Sequence, residues 1–351
     1  MENFAAFLTG HKSKPLQVRE AEDRYPDDDE IVVKNAAVAI NQLDWKMQST
    51  PWISFKYPLI LGVDVAGEVV DVGSDVDETQ FKIGDRVIGH ALAFATNDER
   101  HAGFQNYTVL QSNMATPIPS SLSFEKAVVL PLGVSTASAA LFHKDNLALP
   151  PPSLDPSPTS TTLLIWGGSS SVGCNAIQLA VAAGCEVIVT ASPRNFGKMK
   201  QLGASLSVDY NSSTVLKDLK DAFRDKKLAG AFDTIGNEDS LKKTSQAVSE
   251  IDSTKMVVST TDWIDDEIIP NGVVAKGILA ISIRGTEEEV EASEPNVGTM
   301  VYEDFLRDAL EAGKYQPEPQ PKVVGNGLLS IQAALDEASR GVSATKLVVT
   351  L

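Results

Sequence analysis

One stretch constrains this chain more than any other: TTLLIWGGSSSVGCNAIQLAVAAG, residues 161–184. A short apolar run reads as a buried strand, two glycines bound the loop after it, and small and apolar residues at helical spacing follow. A chain that passes from strand to helix through such a loop presents helix N-terminal amides to an anion. Gly168 and Gly173 have the spacing of the first and last glycines of a dinucleotide fingerprint, with Ser170 at the middle position. On this reading Gly168 allows the tight turn and Gly173 lets the helix approach the sheet. Ser170, Ser171 and Val172 offer hydroxyl and backbone donors. The same residues serve an ordinary βα turn equally well, so context has to decide.

That context is an alternation of strand and helix patterns. EVIVTAS, LSVDY, GAFDTIG and KMVVST read as strands separated by helices around 197–203, 214–227 and 238–249. Strands alternating with helices imply a parallel, doubly wound sheet. The fingerprint expects a ribose-reading group about 20 residues after its first glycine, and an acid there selects NADH. Glu186 has nearly that spacing but precedes the apolar run, at the wrong end of the strand. Ser192, Arg194 and Asn195 follow the strand, and none is acidic. A guanidinium with a hydroxyl suits a 2′-phosphate, so the expected cofactor is NADPH.

Residues 1 to about 130 carry short β-rich runs at 31–40, 65–73, 85–91 and 105–110, which predict a strand-dominated domain. The segment LPPPSLDPSPTSTT is too rich in proline for a helix or an interior strand and reads as a surface connection. The tail predicts a helix in YEDFLRDALEAGK, then SIQAALDEASRG and KLVVTL. Forty-seven acidic against 30 basic residues leave a net charge of −17, which repels nucleic acid and anionic membrane surfaces. No uninterrupted apolar run approaches the eighteen residues of a spanning helix, no secretory signal layout opens the chain, and two cysteines build neither a disulfide framework nor a four-cysteine zinc site. The expected location is the cytoplasm.

The order PLILGVDVAGEVVDVG, GDRVIG, GGSSSVGCNAIQLA and ASPRNFGKMKQLGA resembles the medium-chain dehydrogenase/reductase superfamily over essentially the whole chain. INQLDWK, the proline-rich insert and ASPRNF are similar to fungal zinc-independent members: quinone-reductase-like proteins, trans-acting enoyl reductases and zinc-binding dehydrogenase-like oxidoreductases. The resemblance implies an α/β architecture, a GroES-like β-rich catalytic domain plus a Rossmann domain. The expected borders are 1–130, 131–299 for the NADPH-binding domain, and 300–351 returning to the catalytic domain. Zinc members carry Cys where this chain has Asn41, and Gly-His-Glu where it has Gly62, Val63 and Asp64, so no metal is expected.

The resemblance also supplies site residues. Lys46 matches a lysine near nicotinamide and substrate. Thr136 matches the residue that bonds the carboxamide or the substrate carbonyl. Asn41 and Asp44 line the same pocket, Asp44 orienting Lys46, and Tyr57 is a further proton donor. Tyr210, Val258, Ser259, Val342, Ser343 and Lys346 are carried over as cofactor contacts. The expected reaction is hydride transfer from NADPH to an activated C=C of an enone, enoyl compound or quinone. Carbonyl reduction, with Lys46 as the acid, and a non-redox NADPH- or ligand-binding role are the alternatives. The expected partners are a small-molecule substrate, a second copy if the protein is a homodimer rather than a monomer, and a synthase if the chain works in trans.

Overall fold

The computed structural model describes residues 2–50, 56–261, 263–285 and 296–351. The chain divides into two compact units. One comprises Met1–Leu132, Tyr302–Gly313 and Pro317–Leu351, the other Gly133–Val301 and Lys314–Gln316.

The first unit opens with β1 (Asn3–Leu8), β2 (Gln17–Ala21), β3 (Glu30–Ala39), α1 (Gln42–Ser49), β4 (Leu59–Ile60), β5 (Asp64–Val72), β6 (Arg86–His90), β7 (Tyr107–Gln111) and β8 (Ala115–Pro117). β3 is apolar along most of its ten residues because neighbours cover both its edges. β5 runs antiparallel along one edge, while β7 takes Glu30–Lys34 of the other. Such a central strand reads as a nearly continuous hydrophobic run rather than a clean alternation. Ile31, Val33, Val38, Val65, Val87 and Leu110 fill the core around it.

The second unit is a six-stranded sheet. Its strands are β9 (Thr162–Trp166), β10 (Glu186–Ala191), β11 (Leu206–Asp209), β12 (Leu228–Asp233), β13 (Met256–Ser259) and β14 (Val274–Gly277). The order is β11-β10-β9-β12-β13-β14, every pairing parallel. Counted from β9 this is 3-2-1-4-5-6, the doubly wound order that reverses beside the first strand and places ligands at the carboxyl ends there. All five residues of β9 are buried, and each apolar side chain so enclosed contributes about 1.5–3 kcal/mol. Helices α2 (Pro131–Phe142), α3 (Ser171–Ala182), α4 (Phe196–Gln201), α5 (Val215–Ala222) and α6 (Glu238–Asp252) accompany the strands. The expected alternation is present; β14, at the sheet edge, went unread because GVVAKG is short and its side chains are largely exposed.

The chain then returns to the first unit with β15 (Gln320–Asn326) and β16 (Thr345–Thr350). These complete a seven-stranded sheet ordered β15-β16-β3-β5-β6-β8, with β7 also on β3. β16 occupies the part of the β3 edge that β7 leaves, pairing Val348 with Ala39. The return is not continuous: Tyr315 donates its hydroxyl to Asn175 at 2.7 Å and Gln316 bonds Gln178, so residues 314–316 belong with the second unit. The predicted tail helix begins as a π-helical stretch, Thr299–Leu306, before an α-helical Arg307–Glu311.

The helical stretch Phe124–Phe142 has 19 residues and a mean hydropathy of 1.2, long and apolar enough to cross a membrane by those measures alone; 72% of it is buried in the fold, as in a core helix. The sequence predicts a helix here, with Ser123 and Glu125 as start signals, and because Glu125 and Lys126 stand at its start the uninterrupted apolar run is shorter than a span needs. The acidic run EEEVEASEP lies outside the described residues.

Candidate functional site

In the second unit, the carboxyl end of β9 is built for close approach. The left-handed turn falls on Gly167, with φ +89°, one residue before the Gly168 that the fingerprint spacing favoured. A Cβ at Gly167 would stand 2.6 Å from the Ile235 side chain, and one at Gly173 would stand 2.4 Å from the Gly167 carbonyl oxygen. Gly168 instead packs on Val189 and Met199. Ser170 shows how the loop manages without a middle glycine. It is the N-cap of α3, its hydroxyl accepting from the Gly173 amide at 2.9 Å and bonding Thr234 Oγ1 at 2.9 Å. Thr234 in turn donates toward the Trp166 and Gly167 carbonyls, which fixes the loop to β12. The Ser171 hydroxyl is buried with no hydrogen-bond partner among the described residues. A buried hydroxyl left unmatched at a helix N-terminus fits an anionic ligand such as a pyrophosphate.

The rim of this site lies at the ends of β10 and β11. Their parallel register aligns Ala191 with Asp209, so Ser192 and Tyr210 come next to each other, and their hydroxyls are 3.0 Å apart. Arg194 is exposed in the single turn Pro193–Asn195, and the Asn195 side-chain nitrogen is buried without a hydrogen-bond partner among the described residues. Glu186 sits at the opposite end of β10, where Lys226, with Ser205 and Thr162, holds its carboxylate below its usual pKa. Val258 and Ser259 are fully buried in β13. Ser259 and Ser240 donate to Asp233 at 2.9 Å each, and the Ile235 and Gly236 amides join them; burial nevertheless pushes the Asp233 carboxyl above its ordinary pKa. Asp233 thus fastens the loop after β12. Sequence reading missed Gly167, Asp233 and Thr234, although the doubled glycine of WGGSSS and the position of FDT at a strand end were visible signals. Thr136 is nearly buried in α2.

In the first unit, a charged cluster is enclosed where β3 ends and β5 begins. Asp44, fully buried, caps α1 by accepting from the Asn41 amide at 2.7 Å and takes the Gly62 amide at 3.2 Å. Burial, reinforced by the Asp64 charge and opposed by these bonds and by Lys346, raises its pKa to about 7. Asp44 therefore faces the interior, whereas Lys46, two residues and about half a turn along α1, is half-buried beside the Trp45 ring. Asp64, also fully buried, accepts from the Leu132 amide at 2.6 Å, the Asn41 side-chain amide at 2.8 Å and Lys346 at 2.8 Å. Lys346 bonds the Asn41 carbonyl oxygen as well. Lys346, expected at the cofactor, has its ammonium turned inward to Asn41 and Asp64. His90 lies opposite Asp64 in the β5–β6 register, and burial, outweighing the Asp64 charge, depresses its pKa to about 4. Tyr57 packs against the core of this unit, while Val342 and Ser343 lie exposed in the turn before β16. His101 is elsewhere, 2.6 Å from Glu30 and 2.7 Å from Thr96.

A doubly wound parallel sheet with a glycine-turned loop at its switch point, in a chain whose other unit is β-rich and holds buried acid–base groups, is the architecture of the dinucleotide-binding class of enzyme. Residues 27–120 match the alcohol dehydrogenase GroES-like domain and residues 171–293 match the zinc-binding dehydrogenase family. The chain is 44% identical over 351 residues to the zinc-binding alcohol dehydrogenase domain-containing protein cipB of Emericella nidulans, covering 100% of this chain and 99% of that one. It is 40% identical to the trans-enoyl reductase himH of Aspergillus japonicus, covering 99% and 97%. The Escherichia coli quinone oxidoreductase, solved with NADPH, superposes with a TM-score of 0.70 at 20% identity over 100% of both chains. The chain belongs to the medium-chain dehydrogenase/reductase superfamily, on its enoyl- and quinone-reductase-like branch, and is an oxidoreductase of that type.

The zinc in the second family's name does not suit these residues. Among the described residues no group of three or more His, Cys, Asp or Glu could hold a metal ion. At Asn41 and Asp64 the protein's own ammonium already provides the positive charge.

Proposed function

We propose that this chain is an NADPH-dependent reductase of an activated C=C, acting on a small α,β-unsaturated carbonyl, enoyl compound or quinone. The observation that carries the reading is the Ser192–Tyr210 hydroxyl pair, 3.0 Å apart, with Arg194 two residues after Ser192, at the strand end where an NADH site needs an acid. Hydroxyls and a guanidinium suit a 2′-phosphate. The himH name and the NADPH of the bacterial quinone oxidoreductase support the same direction.

NADPH, when bound, would supply a hydride to the β-carbon of an enone or enoyl acceptor or to a quinone, and the chain's own residues would hold it and furnish the proton, to the α-carbon of the former or to an oxygen of the latter. Ser192, Arg194 and Tyr210 hold the 2′-phosphate, and Asn195 offers its unmatched amide at the same rim. The first turn of α3, with Val172 and the unpartnered Ser171 hydroxyl, receives the pyrophosphate. Thr136 donates to the carboxamide or to the acceptor's carbonyl. Lys46 supplies the proton, and Tyr57 is a second candidate. A spread enolate or quinolate charge needs only one or two such donors, which the side-chain amide of Asn41 and these groups can provide.

The test is NADPH consumption, followed by absorbance, against 2-cyclohexen-1-one, crotonyl thioesters and 9,10-phenanthrenequinone. Turnover on at least one acceptor is expected, and Arg194→Ala raises the KM for NADPH about 100-fold while changing that for NADH little. Equal effects on both cofactors would refute the phosphate role. Tight NADPH binding with no consumption on any acceptor would favour a non-redox role.

A further inference from the structure

The triangle of Asn41, Asp64 and Lys346 does more than neutralise buried charge. Lys346 is 4% exposed and Asp64 is fully buried, so both rely on partners rather than water. Lys346 donates to the Asn41 carbonyl oxygen and to Asp64 Oδ2, and Asn41 donates through its side-chain nitrogen to the same Asp64 oxygen. This arrangement fixes which way the Asn41 amide points. Turned by half a rotation, it would set N–H groups against an ammonium and an oxygen against a carboxylate, losing two charge-assisted bonds and adding two repulsions. An amide nitrogen carries two N–H groups. Asp64 takes one, and the second has no assigned partner among the described residues. A cation on the carbonyl oxygen withdraws electron density through the amide, so that remaining N–H is a stronger donor than in an ordinary asparagine.

We infer that Lys346 is a positioning residue: it locks the Asn41 amide with its oxygen inward and makes the remaining Asn41 N–H the donor to the oxyanion that develops on the acceptor. The inference rests on the C=C reductase reading and deepens it. The Asn41 side chain becomes the catalytic hydrogen-bond donor, while Lys346 never touches substrate. It also explains why the last strand of the chain must return to the first unit. The β16–β3 register, with Val348 opposite Ala39, carries Lys346 to a residue 305 positions earlier.

The experiment compares Asn41→Ala, the double variant Lys346→Met/Asp64→Asn, which removes both buried charges and so leaves neither alone, and the three changes combined. Thermal unfolding of each confirms a folded protein. With the best acceptor of the panel, Asn41→Ala and the double variant each lower kcat about 100-fold, the usual cost of one oxyanion donor, and leave the KM for NADPH within about twofold. The combined variant is no slower than Asn41→Ala alone, because all the changes remove one donor. A folded double variant with wild-type kcat, or a combined variant whose losses multiply, overturns the inference. A second readout needs no turnover. In ¹⁵N-labelled protein the two Asn41 side-chain amide protons resonate far apart in the wild type and converge toward free-amide values in the double variant; unchanged resonances overturn the lock. If the wild type consumes no NADPH on any acceptor, the donor role falls with the functional reading, and the amide resonances still decide whether the lock stands.

Discussion

Replacing His90 with Gln isolates one of the two opposed titrations buried in the first unit. In the folded protein His90 titrates at about 4 against an ordinary 6.5, so between these values the unfolded chain takes up a proton that the native state refuses. Its contribution to stability is full above pH 6.5 and is lost as the pH falls to 4, a swing of about 3 kcal/mol. Asp44 works in the other sense. Its carboxyl titrates at about 7 when folded and at 3.8 otherwise, so its contribution is full below pH 3.8 and is lost as the pH rises to 7, a swing of about 4 kcal/mol. Over the window they share, the two slopes nearly cancel. His90→Gln removes one of them while keeping an amide where the imidazole stood. The assay is urea unfolding from pH 4 to 8 in a Trp166→Phe/Trp263→Phe background, which keeps Trp45 of α1 as a reporter on the first unit. Relative to its parent, the His90→Gln variant should gain about 3 kcal/mol on going from pH 6.5 to pH 4. Parallel stability profiles for variant and parent would refute the argument that the native state keeps this imidazole neutral.

Gly173→Ala should weaken NADPH binding by about tenfold or more and cost about 1–3 kcal/mol, because its Cβ meets the Gly167 carbonyl oxygen at 2.4 Å, a backbone atom that cannot swing away. Fluorescence titration with NADPH checks this, and wild-type affinity would mean that the loop has slack the geometry does not show. Lys46→Met should lower turnover about 100-fold with the NADPH dissociation constant unchanged. Unaltered turnover would remove Lys46 from proton transfer and leave Tyr57 or water as the source.

What the sequence determined was mostly local. Apolar runs of strand length between helical stretches were enough for the parallel sheet, since alternation forces the crossovers that make neighbours parallel. The position of Ser192 and Arg194 after β10, and of Glu186 at its start, was readable because the ends of one strand are separated by a handful of residues. Even the shift of the turn from Gly168 to Gly167 is a one-residue correction inside a motif already found. The elements that escaped are those whose identity depends on neighbours far along the chain, such as the exposed edge strand β14 and the tail residues 314–316.

Tertiary structure decided the chemistry of the first unit. Nothing near Lys346 in the sequence indicates whether its ammonium faces solvent, a cofactor or the interior. Only the antiparallel pairing of β16 with β3 sets it against Asn41 and Asp64, and only the pairing of β5 with β6 sets His90 opposite Asp64. Sequence spacing specifies periodicity within an element, but sheet register between distant strands is settled by burial of whole faces. Charges acquire their roles from the low-dielectric surroundings that such burial creates.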